Sequence, residues 1–151
     1  MVKVFVFYDS KYGNTKLAAE NVAEGLRGEG VEVDLGYIKE ASPEHALDYD
    51  ALVLGMPNHM GSPSQAMKKF VNQLSTLDLK NKKVAVFGTY AGKERYDRAV
   101  KKMEEMVREK LPAVILVLPS LSVRVNGVSG PVVDGELPRC VDFGRKLASQ
   151  L

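Results

Sequence analysis

Near-continuous apolar runs alternate with amphipathic stretches along the whole chain, and this alternation restricts the fold more than any other feature. Residues 2–7, 31–37, 51–55, 83–87 and 114–118 read as strands. Four of these runs are rich in Val, Leu and Phe without alternation, as strands covered on both faces require. Between them, Ala18, Val22 and Leu26 recur at helical spacing, with Gly28 and Gly30 beyond as stop signals. Met67, Phe70, Val71 and Leu74 repeat the pattern after Pro63, a residue suited to an early helical position. Tyr96, Val100, Met103 and Val107 do the same ahead of Pro112, and Leu137, Val141, Gly144, Leu147 and Leu151 mark a last helix opened by Pro138. The second crossover is weaker, since Ser42-Pro43-Glu44 opens only a short helix through Leu47. Residues 121–125 alternate like an exposed edge strand, and Asn126-Gly127 turns the chain after them. Strict β-α alternation with crossovers of this length predicts an α/β fold. The expected form is a three-layer, doubly wound, five-stranded parallel sheet flanked by five helices.

Composition narrows the function classes. At 151 residues the chain fits one domain over residues 1–151, with 45% hydrophobic and 26% charged residues as in ordinary globular proteins. A net charge of +2 points to neither nucleic acid nor membrane as a partner, and the basic spots at Lys68-Lys69, Lys80 to Lys83 and Lys101-Lys102 read as solvated faces. Cys140 is the lone cysteine, so no intrachain disulfide forms, and its place in a helix-like segment marks it as a small buried apolar residue. With no run long enough to span a membrane and no signal-peptide pattern, a cytoplasmic location is expected.

In doubly wound sheets, ligands bind beyond the carboxyl ends of the strands where strand order reverses. The segments after strands one, three and four therefore matter most. The first carries Ser10-Lys11-Tyr12-Gly13-Asn14-Thr15 and leads into a helix. The first-turn amides of a helix lack internal partners and the macrodipole adds positive potential, so this junction suits an anion. Gly13 permits a tight turn, and the Ser10, Thr15 and Asn14 side chains can donate hydrogen bonds. The second segment runs from Gly55-Met56-Pro57 through Asn58-His59-Met60-Gly61 to Ser62-Pro63, and the third is Gly88-Thr89-Tyr90-Ala91-Gly92-Lys93-Glu94-Arg95. His59, Met60 and Tyr90 supply flat or polarisable groups that could sandwich a planar heterocycle. A phosphate seat beside a ring slot describes a mononucleotide site.

Ser10 to Thr15 resembles the phosphate loop of flavodoxins, usually Ser/Thr-x-Thr-Gly-Asn-Thr, with Tyr12 where those proteins often place Thr. The Tyr-bearing loop and the stretch from Gly55 through Phe70 also resemble NAD(P)H:quinone oxidoreductases related to the tryptophan-repressor-binding protein. Phe87-Gly88-Thr89-Tyr90-Ala91-Gly92 and the helix from Cys140 to Leu147 look like the flavodoxin domain of flavodiiron proteins. The resemblance covers nearly the whole chain and implies a flavodoxin-like strand order of 2-1-3-4-5 and non-covalent FMN. By this resemblance Ser10, Lys11, Tyr12, Gly13, Asn14 and Thr15 would hold the phosphate. The ring would lie between Pro57, Asn58, His59, Met60 and Gly61 on one side and Thr89, Tyr90, Ala91 and Gly92 on the other. Tyr90 is the expected stacking residue. Met60 or His59 would cover the face where many flavodoxins use Trp, which this chain lacks.

The implied activity is electron transfer between a reductase and an acceptor protein, by a monomer or small homo-oligomer, with the chemistry belonging to the flavin. The alternative is a small NAD(P)H:quinone oxidoreductase using FMN. A phosphoryl-accepting receiver domain would need an Asp at the end of strand three, where this chain has Gly55-Met56-Pro57. No Ser/His/Asp or paired-carboxylate constellation stands out, so no catalytic side chain and no metal ligand is assigned.

Overall fold

The computed structural model describes residues 1–92 and 96–151. Strands β1 (Lys3–Tyr8), β2 (Glu32–Tyr37), β3 (Ala51–His59) and β5 (Lys83–Ala91) form the body of one sheet. The two-residue strands β4 (Ser62–Pro63) and β6 (Ile115–Leu116) and the edge strand β7 (Leu121–Val125) complete it. Helices α1 (Asn14–Gly28), α2 (Gln65–Leu74), α3 (Arg98–Lys110) and α4 (Glu136–Ala148) cover its faces, and a 3₁₀ helix at Pro43–Asp48 fills the second crossover. The strand path is β2-β1-β3-β5-β6, with every pairing along it parallel. This is the expected 2-1-3-4-5 order, and it reverses between β1 and β3.

Alternate residues of each strand feed two cores. Val4, Val6, Val53, Ala85 and Phe87 pack with Ala18, Val22 and Leu26 of α1 and Cys140 and Leu147 of α4. Phe5, Phe7, Leu52, Leu54, Val84 and Val86 pack on the other face with Met67, Phe70 and Leu74 of α2 and Val100, Met103 and Val107 of α3. Cys140 is fully buried, which pushes its thiol up from an ordinary 9.0 to about 12, with Glu136 adding to the effect.

The structure departs from the expected elements in several places. The fifth position of the sheet is not a continuous strand at residues 114–118. It is shared by β6, paired with Lys83 and Val84, and by β7, paired in parallel with Phe87 through Ala91. Pro119 has no N–H to donate and falls in the gap between them. β3 and β5 run on past the expected ends at residues 55 and 87, so Gly88 is a strand residue like Gly55: the Phe87 ring fills the space of a Cβ on Gly55, and Val100 that of one on Gly88. Pro63 stands in β4, and Ser64 caps α2 by accepting from the Met67 amide at 3.3 Å. Tyr96 precedes α3 and is half-exposed, and α4 starts at Glu136, ahead of Pro138.

α1 and α4 cross in backbone contact. A Cβ on Gly25 would lie 2.0 Å from the Val141 carbonyl oxygen, and one on Gly144 2.1 Å from that of Val22. Backbone cannot yield as a flexible side chain can, so Gly144→Ala is expected to lower unfolding free energy by about 1–3 kcal/mol, measured by denaturant titration. Cys140 generates a pH prediction. Its native thiol stays protonated where the unfolded thiol ionises, so its contribution is complete below about pH 9 and is lost as pH rises towards about 12. Stability should therefore fall more steeply above about pH 9 in the parent than in Cys140→Ala.

Candidate functional site

The carboxyl ends of β1, β3, β5 and β7 surround one cleft of about 210 Å³, at the point where strand order reverses. From the β1–α1 junction it is lined by Ser10, Lys11, Tyr12, Asn14 and Thr15. Gly13 caps α1 at φ 91°, a left-handed conformation that glycine adopts freely, and does not itself line the cleft. The Ser10 hydroxyl oxygen accepts from the Gly13 amide at 3.1 Å and the Lys16 amide at 3.3 Å, bracing the loop. Both its accepting positions are then used, which leaves its O–H to donate. Among the described residues the amides of Lys11, Tyr12, Asn14 and Thr15 have no hydrogen-bond partner. With no acidic residue in the first turn of α1, and Lys11 and Lys16 exposed beside it, this end of the cleft is a cradle of unpaired amides at positive potential.

The β3 side contributes Pro57, Asn58 and His59. The expected loop is here a hairpin: Asn58 pairs with Pro63 and His59 with Ser62, leaving Met60 and Gly61 as the turn. Both turn residues have positive φ, 54° and 82°, as a type I′ hairpin turn requires. The Asn58 side-chain oxygen accepts from the Gly61 amide at 2.6 Å and closes the turn. Met60 is 96% exposed and, like Gly61, stands outside the cleft wall. Arg98 at the start of α3 lies against Gly61, its Cδ 2.7 Å from where a Cβ would stand.

From β5 come Thr89, Tyr90 and Ala91; Gly92, at φ 93°, does not line the cleft. Lys93, Glu94 and Arg95 of the expected third loop lie outside the described residues. Tyr90 is half-buried with its ring 5.7 Å from that of Tyr96, and it also walls a second, more open groove towards α3. Thr89 and Thr15 are buried, 4% and 2% exposed, and their hydroxyl oxygens lie 2.8 Å apart, joining the β5 end to the start of α1.

Sequence reasoning missed the fourth wall, formed by Val125, Gly127 and Val128. Asn126-Gly127 was legible as a turn. Its place at the cleft follows only from β7 running parallel beside the end of β5. The Asn14 side chain occupies the space a Cβ on Gly130 would take, fastening the first turn of α1 to this loop.

A parallel sheet with helices on both faces and a four-walled cleft at its β1–β3 switch point defines a three-layer, doubly wound α/β class. The flavodoxin family model matches residues 6–130. A flavodoxin of Aquifex aeolicus is 48% identical over 75 residues, 49% of this chain and 40% of its own. An NAD(P)H dehydrogenase (quinone) of Rhizobium meliloti is 31% identical over 59% of this chain and 51% of its own. The chain thus spans about half or less of the length of these curated relatives. The crystal structure of oxidised flavodoxin 2 from Bacillus cereus superposes with a TM-score of 0.84 at 27% identity, covering 99% of this chain and 100% of that one. The chain belongs to the flavodoxin family.

Ser10 organises the cradle, so Ser10→Ala should leave the fold intact and loosen the loop. The expected outcome is faster amide hydrogen exchange at Gly13 and Lys16 with a loss of about 1 kcal/mol in global stability.

Proposed function

We propose that this chain binds FMN in the cleft and carries electrons between a reductase and an acceptor protein. The observation that carries the reading is the meeting of the α1 amides with the ends of β3, β5 and β7 in one cleft. Their chemistry fits the cofactor. Four amides and the Ser10 and Thr15 hydroxyls offer donors to a phosphate, and Lys11 and Lys16 add positive charge. Pro57, Asn58 and His59 stand beside Thr89, Tyr90 and Ala91 on neighbouring strand ends along the slot for the ring, with Val125 and Val128 as an apolar wall. When bound, FMN supplies the redox chemistry by taking up and releasing electrons. The chain's own part is to seat the phosphate, limit water at the ring and offer the turn peptide between Met60 and Gly61. Rotating that peptide changes ψ of Met60 and φ of Gly61, and glycine tolerates either sign of φ. The redox partners bind at the cleft mouth, neither nucleic acid nor membrane is involved, and the protein works in the cytoplasm as a monomer or small homo-oligomer. Among the described residues, no helix is long and apolar enough to cross a membrane.

The second reading, an NAD(P)H:quinone oxidoreductase, draws on the similarity to the Rhizobium relative. The similarity to the flavodoxins of Aquifex aeolicus and Bacillus cereus favours the carrier.

FMN is expected to bind at least about tenfold more tightly than riboflavin, because the missing phosphate leaves charged-group hydrogen bonds unmade. Flavin fluorescence titration reads this directly, and equal affinities would count against the assignment. In anaerobic reductive titration the holoprotein should take up its two electrons in separate steps, and Gly61→Ala should narrow their separation. Rapid oxidation of NADH or NADPH with a quinone as acceptor would replace the carrier reading with the reductase.

A further inference from the structure

Two hydroxyl groups from two different walls of the proposed cofactor site are joined in the protein interior. Thr15 is the second residue of α1, in the cradle, and Thr89 lies near the end of β5, in the ring slot. Their oxygens are 2.8 Å apart, both residues line the cleft, and both are almost fully buried. Thr89 is also the residue at which β5 is held between Pro57 of β3 and Val123 of β7, so its position is set by the sheet.

Each hydroxyl has one proton to give and two lone pairs to accept with. Together the pair owns two protons and spends one on the bond between them. One proton remains, carried by whichever hydroxyl is the acceptor. A phosphate dianion only accepts hydrogen bonds. For it to receive the Thr15 proton, Thr15 must be the acceptor and Thr89 the donor within the pair.

We propose that Thr89 is a positioning residue for the phosphate: by donating to Thr15 it turns the Thr15 proton towards the cradle. The proposal rests on the FMN reading and extends it to a residue of the ring side. Removing the Thr89 hydroxyl leaves Thr15 with an unpaired buried lone pair and a rotor no longer held, and the loss falls on the phosphate rather than on the ring.

The test is flavin fluorescence titration of the full chain with FMN and with riboflavin. It compares the parent, Thr15→Val, Thr89→Val, the double variant and Thr89→Ser. Valine keeps the volume and removes the hydroxyl; serine keeps the hydroxyl. Thr89→Val should weaken FMN roughly five- to tenfold and riboflavin by much less. Thr89→Ser should bind like the parent, and in the Thr15→Val background Thr89→Val should cost nothing further. Equal losses for both flavins, additive losses, or unchanged FMN binding in Thr89→Val would each overturn the coupling. If Thr89→Val does not fold, as thermal unfolding would show, Thr89→Ala with Thr89→Ser gives the same comparison. A parent that binds neither flavin overturns the cofactor reading and the coupling with it. A parent that selects FMN while ignoring the Thr89 hydroxyl overturns the coupling alone.

Discussion

The double-sided burial of the central parallel strands is the constraint on which the rest of this structure depends. β1 is paired along its length with β2 on one side and β3 on the other, and Val4, Val6 and Phe7 have no exposed surface. A strand so placed can carry function only at its ends, because its faces belong to helices and its edges to other strands. All parallel strands point their carboxyl ends the same way, so the connections that leave them gather along one rim. The reversal of order between β1 and β3 opens the gap in that rim where the cleft lies.

Helix packing turns that gap into a site. Gly25 and Gly144 let α1 and α4 approach to backbone contact, which fixes the far half of α1 against the sheet. The near end then presents its amides at a defined place, with Ser10 accepting from the Gly13 amide of the loop and the Lys16 amide of α1 and the Asn14 side chain lying against Gly130. On the opposite side, Arg98 lies against Gly61, so α3 supports the hairpin that bounds the slot. The two halves of the cleft therefore rest on helices from opposite layers, and the Thr15–Thr89 bond is a direct polar link between them.

The sequence showed the fold class, the α1 junction and the three strand ends because each is a local pattern. The errors share a cause. Residues 114–118 are as apolar as a central strand, yet only Ile115 and Leu116 pair, and the rest of that position is filled by Leu121–Val125. Gly88 was read as the start of a loop, yet it is a strand position like Gly55, and their missing side chains make room for Val100 and Phe87. Alternation in 121–125 was visible, but its pairing with Phe87 through Ala91 was not, and Val125, Gly127 and Val128 went unassigned for that reason.

Periodicity, glycine placement and a helix-start motif are properties of neighbours along the chain, so the sequence by itself determined the α/β alternation, the buried strands and the anion-accepting end of α1. Which side chains share the cleft depends on contacts between residues far apart in the chain. Thr15 meets Thr89 across 74 positions, Asn14 meets Gly130, and Gly61 meets Arg98. Strand register and helix crossing fix those meetings, and neither leaves a mark in any short stretch of sequence. Only the tertiary structure decided that Met60 stands in solvent while His59 lines the cleft, because His59 is paired with Ser62 at the end of β3 and Met60 is in the turn that projects beyond that pair.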